Sequence, residues 1–208
     1  MLELDLMPVQ IDVWSDFVCP WCFLASVTLE RLQQSHNIEI NRHAFELRPQ
    51  GSPPMPQDYR DYIEQVGHPQ FVAAARARYG LEINAGPFGI DSRKALIGAQ
   101  YARLQGASDA YHDAVYRAYW QQAQSIDDPE VLVKIAASVD LDAGEFREAL
   151  ASSELDMAVS LDIAQARRYE ITSVPSMIFD KQYLVSGAQP YEVLSEIVDK
   201  IQLGEALA

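Results

Sequence analysis

The order of regular elements restricts this chain more than any other feature: strand–helix–strand, a long run of helices, then strand–strand–helix. Val9–Trp14 (V-Q-I-D-V-W) alternates apolar and polar residues with the period of a half-buried strand. Pro20 to about Ser35 reads as a helix: proline suits the first turn, where its missing N–H costs nothing. Phe23, Leu24, Val27, Leu29 and Leu32 supply its apolar face. Ile38–Leu47 alternates again, so the chain begins as β-α-β, the unit of a parallel strand pair.

Arg48–Gln57 is rich in Pro, Gly and Ser and reads as a linker. Helical pattern then dominates to about Glu170. Asp58–Val66 and Gln70–Tyr79 read as two helices separated by Gly67-His68-Pro69, and Leu81–Ile90 as a loop. Ser92–Leu104 is helical, and Ser108 or Asp109 is expected to cap the next helix, to about Gln124. Asp127-Asp128-Pro129-Glu130 is an acidic cap, a proline and a first-turn acid, and it leads into Val131–Val139. Two more helices begin near Leu141 and Ser153. After them, Ser176–Phe179 and Tyr183–Ser186 read as a hairpin turning at Asp180-Lys181-Gln182. Pro190 opens a last amphipathic helix, with Val193, Leu194, Ile197, Val198 and Ile201 inward. The two α/β ends complete one sheet if brought together. The expected fold class is therefore α/β, with a large all-helical domain inserted between the two halves of one sheet. Residues 1–52 and 154–208 are expected to form this discontinuous α/β domain, and 53–153 the insertion.

The chain's only two cysteines, Cys19 and Cys22, lie three positions apart where the first strand gives way to the first helix. This spacing closes a small disulfide loop within one helical turn. A thiolate on Cys19 would meet the unpaired N–H groups and positive dipole end of the helix. Cys19 is therefore the expected nucleophile and Cys22 the resolving thiol, with Pro20 and Trp21 setting local geometry and redox poise. A C-x-x-C within a β-α-β pattern points to redox chemistry. A disulfide scaffold would need more cysteines, and a structural zinc site more ligands; His36, His43, His68 and His112 form no ligand pair.

Composition removes other classes. The net charge is −14, with no basic stripe, so neither nucleic acid nor an anionic membrane is an expected partner. No apolar run approaches the roughly 20 residues of a membrane helix. The start, MLELDLMPVQ, has Glu3 and Asp5 and no basic residue, unlike a secretory signal. The expected compartment is cytoplasmic.

Asp12–Leu24 (D-V-W-S-D-F-V-C-P-W-C-F-L), Val174-Pro175 and Ser186-Gly187-Ala188-Gln189-Pro190 together resemble the DsbA family, most closely its FrnE-like branch. Tyr111–Tyr119 and Ile126–Pro129 extend the resemblance through the helical middle, so it covers nearly the whole chain. It implies a thioredoxin-like fold with a large inserted all-helical domain, residues 1–52 with 154–208 forming the thioredoxin-like part, and disulfide exchange with protein, peptide or small-thiol substrates through Cys19 and Cys22. It also implies a cis Val174–Pro175 bond facing the cysteines and binding substrate backbone, with Pro20 and Trp21 beside it. No metal or organic cofactor is implied, although glutathione can serve as redox partner or co-substrate and thioredoxin as partner. A monomer and a homodimer both fit, and oxidation, reduction and isomerisation all remain open.

Two other functions fit the same chain. Glutathione-dependent isomerases and transferases acting on small aromatic substrates share the superfamily, though they usually carry serine at the position of Cys19. A holdase using an apolar groove is the third. Among secondary candidates, Asp16 is expected as a loop or capping aspartate, with a proton relay to Cys22 as its functional alternative. His112 is expected to face solvent or a helix neighbour. Tyr111, Tyr116, Tyr119 and Trp120 are expected as core or interdomain packing, with an aromatic peptide-binding groove as the alternative, Trp14 as core, and Gln189 and Pro190 as the cap of the last helix.

Overall fold

A computed structural model describes residues 7–49 and 51–206. Glu3, Asp5 and Gln50, used above, lie outside the described residues. Strand β1 (Val9–Ser15) runs parallel to β2 (Ile38–Ala44) and is joined to it by α1 (Pro20–Ser35). On its other edge β1 pairs antiparallel with β3 (Ser176–Phe179), which pairs with β4 (Tyr183–Ser186). The resulting four-stranded sheet has the order β2-β1-β3-β4. The chain closes with α9 (Tyr191–Leu203). Between β2 and β3 lie α2 (Gln57–Tyr62), α3 (His68–Ala74), α4 (Arg93–Leu104), α5 (Ser108–Gln121), α6 (Pro129–Ser138), α7 (Ala143–Ala149) and α8 (Ser153–Arg168).

The period-2 pattern of β1 feeds two cores. Val9, Ile11 and Val13 pack with Leu29 and Leu32 of α1, Leu194 and Val198 of α9, and Met177 and Phe179 of β3. On the opposite face, Trp14 packs with Ile178, Ile171 and Ala166 of α8. The sheet is thus covered on both sides. A third and larger cluster joins Phe17, Cys19, Cys22, Phe23 and Leu24 to residues of α3 through α8. The cysteines therefore sit at the seam between sheet and helices.

Most local readings of the sequence hold. Asp128 caps α6 by accepting from the Glu130 amide at 2.9 Å, and Pro129 takes the first turn. The β3–β4 hairpin turns through Asp180 and Lys181, both at positive φ, and the Gln182 amide donates to the Phe179 carbonyl at 3.0 Å. Two successive positive φ values are those of a type I′ turn, whose twist matches a hairpin.

Four expectations are corrected. The helix does not break at Gly67-His68-Pro69: a π-helical turn at Ile63–Gly67 continues directly into α3. A widened turn tolerates the N–H that Pro69 lacks. Neither Ser108 nor Asp109 caps α5; its N-cap is Ala107, while Asp109 is engaged by Arg42 at 2.8 Å and by Gln33 at 3.1 Å. Pro190 is the N-cap of α9, as expected, but Gln189 takes no part in the cap and donates to the Ser186 carbonyl at 2.7 Å. Strand β2 ends at Ala44 rather than Leu47, because the Leu47 amide is taken by the carboxylate of Asp16.

Candidate active site

The site is built on the turn from β1 into α1. The Asp16 carbonyl accepts the Cys19 amide at 3.1 Å, closing the loop so that Cys19 becomes the N-cap of α1. The Cys19 sulfur takes the role usually filled by a capping oxygen, accepting the Cys22 amide at 3.3 Å. This places the Cys19 sulfur at the N-terminal end of α1, beside amide groups that have no partner within the helix. The Cys19 thiol also donates to the Val174 carbonyl at 3.6 Å, across a separation of 155 residues. The Val174–Pro175 peptide is cis. Thus the motif, Val174 and Pro175 are brought together from the two ends of the chain.

The two thiols differ in environment. Cys22 is almost fully buried within the first turn. Burial, then the adjacent Cys19, push its thiol well above the usual range. Pro20 occupies the first position of α1, and Trp21 is 39% exposed, its ring edge-on to Phe71 of α3 at 6.4 Å. Trp21 is the exposed aromatic of the motif.

Asp16 lies in the loop between β1 and α1, as expected of a loop aspartate. It is wholly buried, accepting from the Leu47 amide at 2.8 Å and the Val18 amide at 3.3 Å, and hydrogen-bonding with Ser92. Burial raises its pKa from 3.8 to about 6, although those hydrogen bonds work in the opposite direction. Its charge disfavours the Cys22 thiolate, whereas a backbone hydrogen bond from Asp16 favours it.

The helices reach into this turn. Trp120 Nε1 donates to the Phe17 carbonyl at 2.9 Å, and the Tyr116 hydroxyl to the Asp16 carbonyl at 3.5 Å. Neither role is in the expected packing or groove; a buried indole N–H or phenol needs a polar partner, and that need is the available signal. Ser92 and the Leu47 amide carried no such signal. Of the two placements expected for His112, the helix neighbour holds: it is buried, with Nδ1 on the Ser108 carbonyl of α5 at 2.9 Å and its ring 5.1 Å from Phe17. Burial holds it neutral, lowering its pKa from 6.5 to about 3. Trp14, Tyr111 and Tyr119 are core residues, as expected.

A second polar cluster lies on the α8 side of the sheet. His43 Nε2 meets Asp12 at 3.0 Å and Nδ1 meets Asp162 at 3.1 Å, while the ring stacks on Trp14 at 4.5 Å. Burial opposes the charged imidazole, but the two carboxylates outweigh it and raise its pKa from 6.5 to about 9.

A β-α-β unit completed by a distant hairpin, with a C-x-x-C at its first helix and a cis-proline opposite, defines a thioredoxin-fold protein with a helical insertion. The family model described as DSBA-like thioredoxin domain matches residues 10–199, and the chain belongs to that family. The Bacillus subtilis protein YwbO is 28% identical over 205 residues, covering 94% of this chain and 98% of that protein. A probable DsbA oxidoreductase from Streptomyces coelicolor, SCO1869, is 28% identical with a TM-score of 0.81, covering 96% of this chain and 92% of that one. A 2-hydroxychromene-2-carboxylate isomerase shares the fold at TM-score 0.79 and 20% identity, over 92% and 95% of the chains. The cytosolic disulfide reductase DsbM from Pseudomonas aeruginosa does so at 0.71 and 16%, over 93% and 99%. Among the described residues, no helix is long and apolar enough to cross a membrane.

Proposed function

We propose that this protein is a thiol–disulfide oxidoreductase of the FrnE-like branch, exchanging disulfides through Cys19 and Cys22. In the reducing direction the Cys19 thiolate attacks one sulfur of a substrate disulfide. A Cys19–substrate disulfide forms and the other substrate sulfur leaves as a thiolate. Cys22, losing its proton, then attacks Cys19 Sγ. The second substrate thiolate is released, and a Cys19–Cys22 disulfide remains. Two electrons pass from the dithiol to the substrate, and oxidation of a dithiol substrate is the same sequence reversed. Asp16, ionised above about pH 6, is a buried base able to accept the Cys22 proton. Val174 presents its carbonyl to Cys19, and Val174 with Pro175 would receive extended substrate backbone, with Trp21 as an apolar contact. In this reading the helical segment 53–153 is an insertion and 1–52 with 154–208 the catalytic domain.

The single observation carrying the proposal is the placement of Cys19: helix N-cap, Cys22 amide and Val174 carbonyl converge on one sulfur. Protein or peptide disulfides are the proposed substrates and glutathione the proposed recycling thiol, in a cytoplasmic setting. The likeness to DsbM, also determined with GSH, is in keeping with that. The test is turnover of a mixed glutathione disulfide. Cys19→Ser should abolish it, and Cys22→Ser should accumulate a stable adduct on Cys19. Activity intact in Cys19→Ser would refute the proposal. The likeness to the isomerase keeps a glutathione-dependent isomerase or transferase as the second reading. That reading predicts full activity on a small aromatic substrate in Cys22→Ser.

A further inference from the structure

We propose that Tyr116 and Trp120 of α5 are positioning residues of the dithiol centre, setting its redox equilibrium by holding the loop that carries Asp16 and Phe17. This rests on the dithiol reading above. The loop carbonyls at 16 and 17 are not ladder partners of the sheet, because β1 ends at Ser15. Trp120 Nε1 fixes the Phe17 carbonyl at 2.9 Å, and this bond is buried. The Tyr116 hydroxyl reaches the Asp16 carbonyl at 3.5 Å, the same oxygen that accepts the Cys19 amide at 3.1 Å.

The peptide units held in this way do chemical work at the sulfurs. The Asp16 carbonyl closes the turn that makes Cys19 the N-cap, and a backbone hydrogen bond from Asp16 supports the Cys22 thiolate. Rotation of the Asp16–Phe17 unit would open the Cys19 turn directly, and the Asp16 amide, on the preceding peptide unit, would shift with it relative to Cys22. The rings around the loop leave the polar bonds as the orienting element: Phe17 lies edge-on to Tyr116 at 5.0 Å, and Phe23 stacks on Trp120 at 6.5 Å. Ring contacts fill space but do not aim a carbonyl; the N–H and O–H donors do. The helical segment would thereby act on the thiols without touching substrate.

The experiment compares wild type, Tyr116→Phe, Trp120→Phe and Tyr111→Phe. Two quantities are read: the Cys19–Cys22 equilibrium in glutathione buffers and the rate at which a Cys19–glutathione disulfide resolves. Tyr116→Phe and Trp120→Phe keep an aromatic ring and remove the donor. Each should move the equilibrium toward the disulfide by about fivefold and slow resolution to a similar degree, the effect of one buried hydrogen bond. Tyr111→Phe removes an equally buried hydroxyl of the same helix, but one that donates to Ala95 of α4 at 3.4 Å. It should lower thermal stability and leave both redox readouts unchanged. Unchanged redox readouts in Tyr116→Phe, or an equal shift in Tyr111→Phe, would overturn the inference. Tyr116→Phe alone suffices if Trp120→Phe does not fold. A wild-type protein that forms no internal disulfide would overturn the dithiol reading as well. A wild type that forms one beside unresponsive variants would overturn this inference only.

Discussion

Replacing Asp16 with Asn should stabilise the protein at neutral pH and lose that advantage in acid. The Asp16 carboxyl is wholly buried and carries no ion pair among the described residues; its partners are two backbone amides and Ser92. Its pKa rises from 3.8 to about 6. An acid raised on folding binds its proton more tightly in the native state. Its contribution to stability is therefore fully present below pH 3.8 and is lost as pH climbs through about 6. The cost of holding the charge grows from roughly 0.5 kcal/mol near pH 4 to roughly 3 kcal/mol near pH 7.5. Asn removes that cost but accepts hydrogen bonds on one oxygen only, losing about 1 kcal/mol at every pH. The variant should be about 2 kcal/mol more stable than wild type near pH 7.5 and slightly less stable near pH 4. Denaturant unfolding of both reduced proteins at the two pH values measures this directly, and other titrating groups cancel in the difference. A stability difference that does not change with pH would refute the argument, as would a variant destabilised at neutral pH. The same variant should slow release of a Cys19 mixed disulfide, since the proposed acceptor of the Cys22 proton is gone.

Three further outcomes follow from other parts of the molecule. His43 is raised from 6.5 to about 9, so its contribution is full below 6.5 and lost as pH rises through 9; wild-type unfolding free energy should fall by roughly 2.5 kcal/mol over that window, and His43→Gln should flatten the fall. Phe17→Ala removes a fully buried ring between β1 and α5 and should cost about 3–5 kcal/mol in denaturant unfolding, with a loss under 1 kcal/mol contradicting the packing described. Trp21→Ala, at a half-exposed position, should change stability by less than about 1 kcal/mol yet raise KM for a disulfide peptide, and an unchanged KM would remove Trp21 from the substrate surface.

Much of this structure is local and therefore legible in one sequence. The alternation of Val9–Trp14 gives β1, Asp128-Pro129 gives the start of α6, and the cysteine spacing on Pro20 gives a helix N-terminus bearing a thiol. Each depends on a few neighbouring residues whose conformational preferences agree. The misreadings arise where distant groups compete. The Leu47 amide would extend β2 if Asp16 did not claim it, and Asp109 would cap α5 if Arg42 and Gln33 did not. The sequence leaves His112 between solvent and a helix neighbour until α5 is seen to place its ring on Phe17. The participation of Tyr116, Trp120 and Ser92 in the cysteine turn depends on how the helices fold back onto β1, which no local pattern encodes.

The central claim is that Cys19 and Cys22 act as one two-electron couple. Its most direct test is their equilibrium in glutathione buffers of graded potential, quenched with acid, alkylated and read by mass. The account predicts one transition from a doubly alkylated dithiol to an unmodified internal disulfide, with the Cys19–glutathione form only transient. Thiols that stay reduced at every potential, or a glutathione adduct that persists on Cys19 beside a free Cys22, would contradict it.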